Sequence, residues 1–346
     1  MVPSKDRLMS RRTVMAGAGM AGLLAAKPAD EKATGKIWSN EYWANKGDVK
    51  LNLFRKRVGA PKSGQPPLPV LFLVHGSSIS ARPSFDLSPP GKGEYSLMNT
   101  FAHYGFDVWT MDHENYGRSS QTQGNSDIAS GVEDLKAGVE LVARETGQQK
   151  IHMFGESSGA LRAGAYAMAR PDRVDRLGLG AFTYKGENSP TLAERGKQLD
   201  YYRTHNRRLR DRAMIRSIAT RDKPGTSDAA VMDYLADLEL KFGDQVPTGT
   251  YLDMTANLPL VDPAKVLSPV LLVRGEYDGI ATVDDISEFY KRLPSGDRQF
   301  VIVPGMAHSL VQGINRQVFW HVLRAFLTMP AINSTPAVTT ARVEPA

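Results

Sequence analysis

Five residues, Gly155 to Gly159, have the spacing of a turn that exposes a reactive serine. They read Gly-Glu-Ser-Ser-Gly, with Ser157 at the centre. An apolar run at residues 151–154 precedes them, and a helix-like stretch at residues 160–170 follows. A G-x-S-x-G turn between a strand and a helix holds its serine in a strained conformation, with the hydroxyl above the sheet edge. The pattern therefore predicts that Ser157 is a nucleophile.

Two further strand-like runs end close to residues that could assist such a serine. Residues 269–275 and 299–304 are mostly apolar; Asp278 follows the first run and His308 follows the second. A serine hydroxyl is a poor nucleophile at neutral pH, so a base must take its proton. Histidine, with an ordinary pKa of about 6.5, suits this task. A carboxylate holds the imidazole in one tautomer and stabilises the imidazolium. We therefore predict that Ser157, Asp278 and His308 are catalytic.

The chain order Ser157, Asp278, His308 resembles that of the α/β-hydrolase superfamily. The resemblance covers about residues 48–327, with a variable segment in the middle. It implies an α/β fold: a mostly parallel central sheet with helices on both faces and a helical cap insertion. Haloalkane dehalogenases and epoxide hydrolases of this superfamily carry aspartate at the nucleophile position of this turn. The serine found here therefore implies acyl transfer to serine.

A His-Gly pair follows the apolar strand at residues 70–74 and resembles a motif of the same superfamily. The resemblance implies an oxyanion hole made by one N–H of this loop and the N–H after the nucleophile. We assign these donors to Ser77 and Ser158, with Ser78 as an alternative to Ser77. His75 is expected to hold the shape of the loop rather than to transfer protons.

Other carboxylates compete with Asp278 for the acid role. Glu276 lies two residues earlier in the same loop, and Glu187 follows the strand-like run at residues 176–182, where some members of the superfamily place their acid. Asp278 is favoured because Gly-x-x-Asp after this strand is the commoner pattern of the superfamily. Glu156 is interpreted as a charge at a helix N-terminus, favourable against the helix dipole.

Composition bounds the remaining possibilities. The 346 residues are 41% hydrophobic, enough for one large domain and an elaboration. The absence of cysteine excludes disulfides and thiolate metal sites, and the seven histidines show no metal-ligand spacing. Without a phosphate-binding loop or dinucleotide motif, we expect no cofactor and no metal. Of the formal net charge of +6, half lies in residues 1–26, so the rest does not suggest a nucleic-acid partner.

The N-terminal residues resemble a twin-arginine export signal. Arg11 and Arg12 precede a weakly apolar run of 13 residues, which is shorter than the ~20 residues that a membrane-spanning helix needs. We expect residues 1–29 to form a signal peptide that engages the twin-arginine (Tat) export machinery of a bacterium. A periplasmic or secreted mature enzyme would follow.

The chain order of strand-like and helix-like segments predicts a core in two parts. The predicted units are the first core part at residues 30–182, the cap at 183–258, the second core part at 259–329 and a disordered tail at 330–346. Helical patterns in the cap cover residues 191–206 and 229–242. Residues 79–93, which follow the predicted oxyanion loop, are expected to form a long loop that walls the active site.

Arginines are concentrated in the cap. Six lie between Tyr201 and Arg216 against one aspartate. They could recognise an acidic substrate, or they could form a solvated helix face paired with cap carboxylates; the acidic residues of the cap favour the second interpretation. Tyr184, Tyr201 and Tyr251 could line the substrate pocket.

Together these features predict an exported serine hydrolase. It would cleave a carboxylic ester or lactone bond of a small organic substrate through an acyl-enzyme. Two alternatives use the same residues for other bonds: carbon–carbon cleavage of a diketone, and amide or carbamate hydrolysis. An alternative of another class is a non-catalytic binding protein on a hydrolase scaffold.

Overall fold

A computed structural model describes residues 33–330, and its centre is an eight-stranded sheet. The strands are β1 (Ile37–Lys46), β2 (Val49–Val58), β3 (Val70–Val74), β4 (Asp107–Met111), β5 (Ile151–Glu156), β6 (Val174–Gly180), β7 (Val270–Gly275) and β8 (Arg298–Val303). Their spatial order is β1-β2-β4-β3-β5-β6-β7-β8. β1 and β2 form an antiparallel hairpin and β2 runs antiparallel to β4, whereas all other neighbours are parallel.

Helices cover both faces of this sheet and also form the insertion between β6 and β7. They are α1 (Ala81–Phe85), α2 (Leu97–His103), α3 (Ile128–Thr146), α4 (Ser158–Ala169), α5 (Pro190–Gly196), α6 (Leu199–Thr204), α7 (Arg212–Thr220), α8 (Ala229–Glu239), α9 (Gly249–Leu252), α10 (Val283–Arg292) and α11 (Arg316–Leu327).

The sheet separates two apolar cores. On one face, α3, α4 and α10 bury side chains such as Leu135, Leu161 and Phe289. On the other face, α2 and α11 contribute side chains that include Phe101 and Phe319. The central strands are buried on both faces, as their nearly continuous apolar sequences require. The predicted α/β fold with a mostly parallel central sheet is confirmed.

The chain between β6 and β7 contains α5 to α9, and it differs in part from the predicted pattern. The single helix expected at residues 191–206 is two helices, because α5 ends at Gly196 and α6 begins at Leu199. The helix expected at residues 229–242 is α8 followed by a turn of 3₁₀ helix. A separate apolar cluster, which includes Ile79 and Ile215, joins α7 and α8 to the chain that follows β3.

The expectation of a long loop at residues 79–93 is also partly wrong. It contains α1 and a two-residue strand, Asp86–Leu87, that pairs with Tyr95–Ser96. The buried Asp112 carboxylate accepts a hydrogen bond from the N–H of Ala81 at the start of α1 (2.8 Å). Tertiary contacts therefore fix a helix too short for its sequence to reveal.

In the part of the chain that the structure describes, no helix is both long and apolar enough to cross a membrane.

Candidate active site

Ser157 lies in a sharp turn between β5 and α4. Its backbone has φ 60° and ψ −127°, a conformation that is strained for a residue with a Cβ. A Cβ on Gly155 would lie 2.2 Å from the carbonyl oxygen of Gly159, and a Cβ on Gly159 would lie 2.2 Å from that of Val74. Both positions of the pentapeptide therefore require glycine, because the backbone of the turn is packed against itself and against β3.

The structure brings together the three side chains that the sequence singled out. Nε2 of His308 lies 2.9 Å from Oγ of Ser157, and Nδ1 of His308 lies 2.8 Å from Oδ1 of Asp278. His308 and Asp278 are both buried. The imidazole thus contacts the hydroxyl at one nitrogen and the carboxylate at the other, which is the arrangement that base-assisted nucleophilic attack needs.

The turn after β7 fixes Asp278. Its Oδ1 also accepts hydrogen bonds from the N–H groups of Ile280 (2.9 Å) and Ala281 (3.3 Å). Burial alone would raise the pKa of Asp278. The attraction of His308 and its hydrogen bond, together with the two N–H donors, outweigh burial and lower this pKa below its ordinary value. Asp278 is therefore held as a carboxylate, the form that can accept the Nδ1–H of His308.

The competing carboxylates have other partners. Glu276 accepts the N–H of Gly305 (2.8 Å), and the side chain of Glu187 is 63% exposed and lies 3.8 Å from Lys185. In the described residues, neither is hydrogen-bonded to His308. Asp278 is the carboxylate that the fold places against the imidazole.

Glu156 has a role that its position before a helix did not reveal. Its carboxylate accepts the N–H groups of Leu310 (2.7 Å) and Val311 (3.3 Å), just after His308. Burial raises the pKa of Glu156, and the attraction of His308 and the two donors oppose that rise. Glu156 thus connects the serine turn to the histidine loop, beyond the helix-dipole interaction that we predicted. Its partners lie more than 150 residues away, so no local signal could have identified them.

Ser77 and Ser158, the predicted oxyanion-hole residues, lie side by side. Their hydroxyl oxygens are 2.8 Å apart, and Oγ of Ser77 is also 2.6 Å from Oγ1 of Thr250. Ser158 is the first residue of α4, where a backbone N–H has no carbonyl partner within the helix. Ser78, the alternative donor, has a positive φ of 77°, and its hydroxyl is hydrogen-bonded to that of Tyr251.

His75 is buried beneath this loop. Its Nδ1 donates to the carbonyl of Gly76 (2.8 Å), and its Nε2 accepts the N–H of His113 (3.1 Å). Burial lowers the pKa of His75 well below its ordinary value, so the ring is neutral and can serve as both donor and acceptor. These contacts fit the expected structural role.

One cavity borders the reactive serine, and a second, larger cavity shares part of its wall. The first, of about 40 Å³, is lined by Ser157 and His308 together with residues of the loop after β3. The second, of about 670 Å³, lies beside Asp278 and under the chain between β6 and β7. Arg195 of α5 and Ile218 of α7 line both cavities. The insertion therefore forms part of the wall next to the serine.

Of the three tyrosines considered for the pocket, Tyr251 alone lines the larger cavity. Tyr184 is buried against Phe289, with ring centroids 5.3 Å apart, and Tyr201 is 40% exposed and stacks on His205 at 4.2 Å. Apolar contacts within the fold turn Tyr184 away, and Tyr201 lies at the surface. Neither Tyr184 nor Tyr201 lines either cavity at the site.

The arginines of the cap are mostly paired, as the favoured interpretation held. Arg212 and Arg216 bind Asp233, and Arg210 forms a buried ion pair with Glu239. Arg203 lies 3.4 Å from Asp200, and Arg207 donates to backbone carbonyls. Arg208 differs: its guanidinium lies 4.8 Å from the ring centroid of Tyr251 and lines the larger cavity. The sequence alone did not identify Arg195, because its neighbours along the chain are typical of any exposed helix.

In residues 33–330, no group of three or more His, Cys, Asp or Glu side chains could hold a metal ion.

Several solved structures share this fold. E-2-(acetamidomethylene)succinate hydrolase has a TM-score of 0.61 at 18% identity, over 84% of this chain and 99% of its own. The enol-lactonase from Burkholderia xenovorans LB400 has a TM-score of 0.58 at 15% identity, over 83% and 100%. The 2-hydroxy-6-oxo-6-phenylhexa-2,4-dienoate hydrolase from Rhodococcus sp. strain RHA1 has a TM-score of 0.55 at 18% identity, over 84% and 100%. At such identities these likenesses show the fold alone.

A sequence model of one family matches well over half of the chain. It describes the serine aminopeptidase family S33 and covers residues 92–313, which include Ser157, Asp278 and His308. No curated protein is similar enough to the chain to count as a match. The family match and the shared fold agree with the resemblance seen in the sequence. The chain belongs to the serine aminopeptidase S33 family and is a hydrolase of the α/β-hydrolase superfamily.

Proposed function

We propose that this protein is a serine hydrolase that cleaves carboxylic ester or lactone bonds of a small organic substrate through an acyl-enzyme. One observation carries the proposal: Ser157, His308 and Asp278 form a continuous hydrogen-bonded chain at 2.9 Å and 2.8 Å, beside a cavity. A binding protein on this scaffold would have no need of a serine strained into contact with a base.

In the first half-reaction, Oγ of Ser157 attacks the substrate carbonyl while Nε2 of His308 takes its proton. The C–O bond to the alcohol breaks as the tetrahedral intermediate collapses, and His308 returns the proton to the departing oxygen. Asp278 stays a carboxylate and stabilises the imidazolium. The N–H groups of Ser77 and Ser158 would receive the oxyanion; removing one such donor typically costs ~10²–10³ in rate.

In the second half-reaction, a water molecule replaces the alcohol. His308 takes a proton from the water as it attacks the acyl carbon. The bond to Oγ of Ser157 then breaks, Ser157 regains its proton, and the acid product leaves. The same three side chains thus serve both steps without another proton carrier.

The family name raises a second candidate, an aminopeptidase that cleaves beside a free α-ammonium group. The charges around the serine disfavour it. Arg195 would repel an ammonium group, and the carboxylate of Glu156 is already engaged by the N–H groups of Leu310 and Val311. A guanidinium without an acidic partner at this position suits neutral or acidic substrates better.

A substrate panel tests the proposed bond preference. We expect turnover of p-nitrophenyl esters of graded acyl length and of simple lactones. Matched p-nitroanilides and aminoacyl p-nitroanilides should react at least ~10²-fold more slowly, because p-nitroaniline must be protonated as it leaves, whereas p-nitrophenolate leaves as a stabilised anion. Absorbance at 405 nm measures the three chromogenic classes, and a pH-stat measures the acid released from the lactones. A faster reaction with aminoacyl anilides would instead assign peptidase chemistry.

We further propose that residues 1–29, which lie outside the described residues, direct export through the twin-arginine route. The paired Arg11 and Arg12 motivate this proposal. Replacing both with lysine should leave the precursor in the cytoplasm of a bacterial host, whereas the unchanged chain should reach the periplasm. Cell fractionation with a blot for the protein measures this. Equal export of both forms would contradict it.

A further inference from the structure

Arg195 occupies a position between the reactive serine and the large cavity. Its side chain extends from α5 and lines both the Ser157 cavity and the adjoining cavity of about 670 Å³. A substrate whose carbonyl carbon reaches Ser157 and whose remainder fills the larger cavity must pass this guanidinium. Arg195 therefore contacts the part of the substrate close to the scissile bond.

This guanidinium lacks the acidic partner that a buried cation normally has. Nη1 of Arg195 is inaccessible to solvent and has no hydrogen-bond partner within residues 33–330. An isolated charge is costly to remove from water, and an unsatisfied buried donor points to a missing acceptor. Burial, reinforced by the nearby Arg221 and Arg208 and opposed by Tyr251, lowers the pKa of Arg195 to about 10. The side chain is thus still a cation at neutral pH.

The carboxylates that line the same cavity are not paired with Arg195. Glu194 lies 2.6 Å from Nζ of Lys197, Asp278 binds His308, and Glu276 accepts the N–H of Gly305. Asp222 lies 3.4 Å from Nε of Arg221, and its Oδ2 has no hydrogen-bond partner within residues 33–330. None of these contacts involves Arg195. Among the described residues, no carboxylate of the cavity wall lies within ion-pair distance of the Arg195 guanidinium, so this cation has no anionic partner in the protein.

An aromatic ring holds Arg195 in place beside a second cation. The guanidinium of Arg195 lies 5.1 Å from the ring centroid of Tyr251, and that of Arg208 lies 4.8 Å from the same centroid. The hydroxyl of Tyr251 is hydrogen-bonded to that of Ser78, in the loop that follows β3. Tyr251 thus connects the two guanidinium groups to the predicted oxyanion loop, so the cations are oriented before substrate binds.

We propose that the substrate carries a carboxylate group, which the guanidinium of Arg195 binds, with Arg208 adding positive charge to the same wall. This inference rests on the proposed function of Ser157. A guanidinium presents two parallel N–H donors that match the two oxygens of a carboxylate. The substrate class is therefore a half-ester, or another acidic ester, with its carboxylate a few bonds from the scissile carbonyl.

The test compares matched charged and neutral esters. One pair is mono-4-nitrophenyl adipate and 4-nitrophenyl methyl adipate, with the charge on the acyl side. The other pair is 4-acetoxybenzoate and its methyl ester, with the charge on the alcohol side. For wild-type protein we expect a higher kcat/KM for the charged member of at least one pair. In Arg195→Gln the charged-to-neutral ratio should fall about 10- to 100-fold, as expected for a lost charge-assisted hydrogen bond.

Two further variants distinguish a substrate-binding role of Arg195 from a structural role. Arg195→Lys keeps the charge but loses the paired donors, so it should recover part of the preference. Arg203→Gln removes an exposed cap arginine outside both cavities and should keep the wild-type ratio. If the Arg195 variants fail to fold, inhibition of wild-type turnover by adipate and by adipamide replaces them. Adipate should inhibit at least ~10-fold more strongly, as one charge-assisted hydrogen bond implies.

The outcomes are distinguishable. Equal or lower activity on both charged esters, or an unchanged ratio in a folded Arg195→Gln variant, overturns the carboxylate proposal. If Ser157 still reacts with a fluorophosphonate, the proposed hydrolase function survives that result. If no ester turns over and Ser157 does not react, both proposals fall together.

Discussion

Replacing Ser157 with alanine is expected to lower kcat for p-nitrophenyl ester hydrolysis by about 10⁶-fold, the scale seen when a serine nucleophile is removed. The variant keeps the imidazole and the oxyanion loop but has no oxygen that can form the acyl-enzyme. His308 loses its contact with Oγ, 2.9 Å away in the wild type, and retains its contact with Asp278. Initial rates at saturating ester, with an active-site titration of the wild type, measure the change.

The control for this variant is Ser63→Ala, which alters an exposed serine in the loop before β3. It should match the wild type in rate and in thermal unfolding midpoint. The Ser157→Ala protein should also fold, since the close backbone contacts at Gly155 and Gly159 do not involve the hydroxyl. Hydrolysis by folded Ser157→Ala within tenfold of the wild type would remove Ser157 from the mechanism.

The second large effect is expected at Asp278. Asp278→Asn should lower kcat by about 10⁴-fold with little change in KM, because an amide N–H facing Nδ1 of His308 would favour the wrong tautomer. Nε2 would then carry a hydrogen and could not accept the proton of Ser157. Steady-state kinetics on a single good ester substrate measure the effect.

Glu276 provides a matched control in the same loop. Glu276→Gln alters the contact with the N–H of Gly305 but leaves the imidazole untouched. Its kcat should stay within about tenfold of the wild type, in keeping with a single surface hydrogen bond. If Glu276→Gln lost as much activity as Asp278→Asn, the acid role would belong to the loop as a whole, and the assignment of Asp278 would fail.

The elements that position this site could be predicted because each leaves a local signal. The run Val70–Val74 is entirely apolar and is bounded by Pro69 and by a His-Gly pair, so its limits follow from burial on both faces. The serine turn could be located for a similar reason. Its two glycines are required because a Cβ on either would lie 2.2 Å from a backbone carbonyl oxygen, and such a constraint is visible as a residue type.

Features fixed by distant contacts could not be predicted. α1 includes Pro83 and spans five residues, and its position depends on Asp112 and on a hydrogen bond from Gln312 to the carbonyl of Ser84. Glu156 reaches across to the histidine loop. Arg195 is the cap arginine that lines both cavities and has a buried nitrogen without a partner among the described residues, and sequence spacing does not show which charges meet in space.

The connection between α5 and α6 shows the same limit on a smaller scale. The apolar pattern at residues 191–206 fits one helix, yet Gly196 ends α5 and the chain turns before Leu199. Glycine destabilises a helix interior by about 1 kcal/mol relative to alanine. That is enough to place a break where packing favours one, and here the break leaves Arg195 in the last turn of α5.

The central claim is that Ser157 is an activated nucleophile, and labelling with a fluorophosphonate tests it most directly. The purified wild-type protein would be incubated with the reagent, digested and mapped by mass spectrometry. We expect a single adduct on Ser157, formed faster than in His308→Ala by about 10³-fold or more, because the base activates the hydroxyl. A folded protein that forms no adduct, or one labelled at another residue while Ser157 stays unmodified, would contradict the assignment.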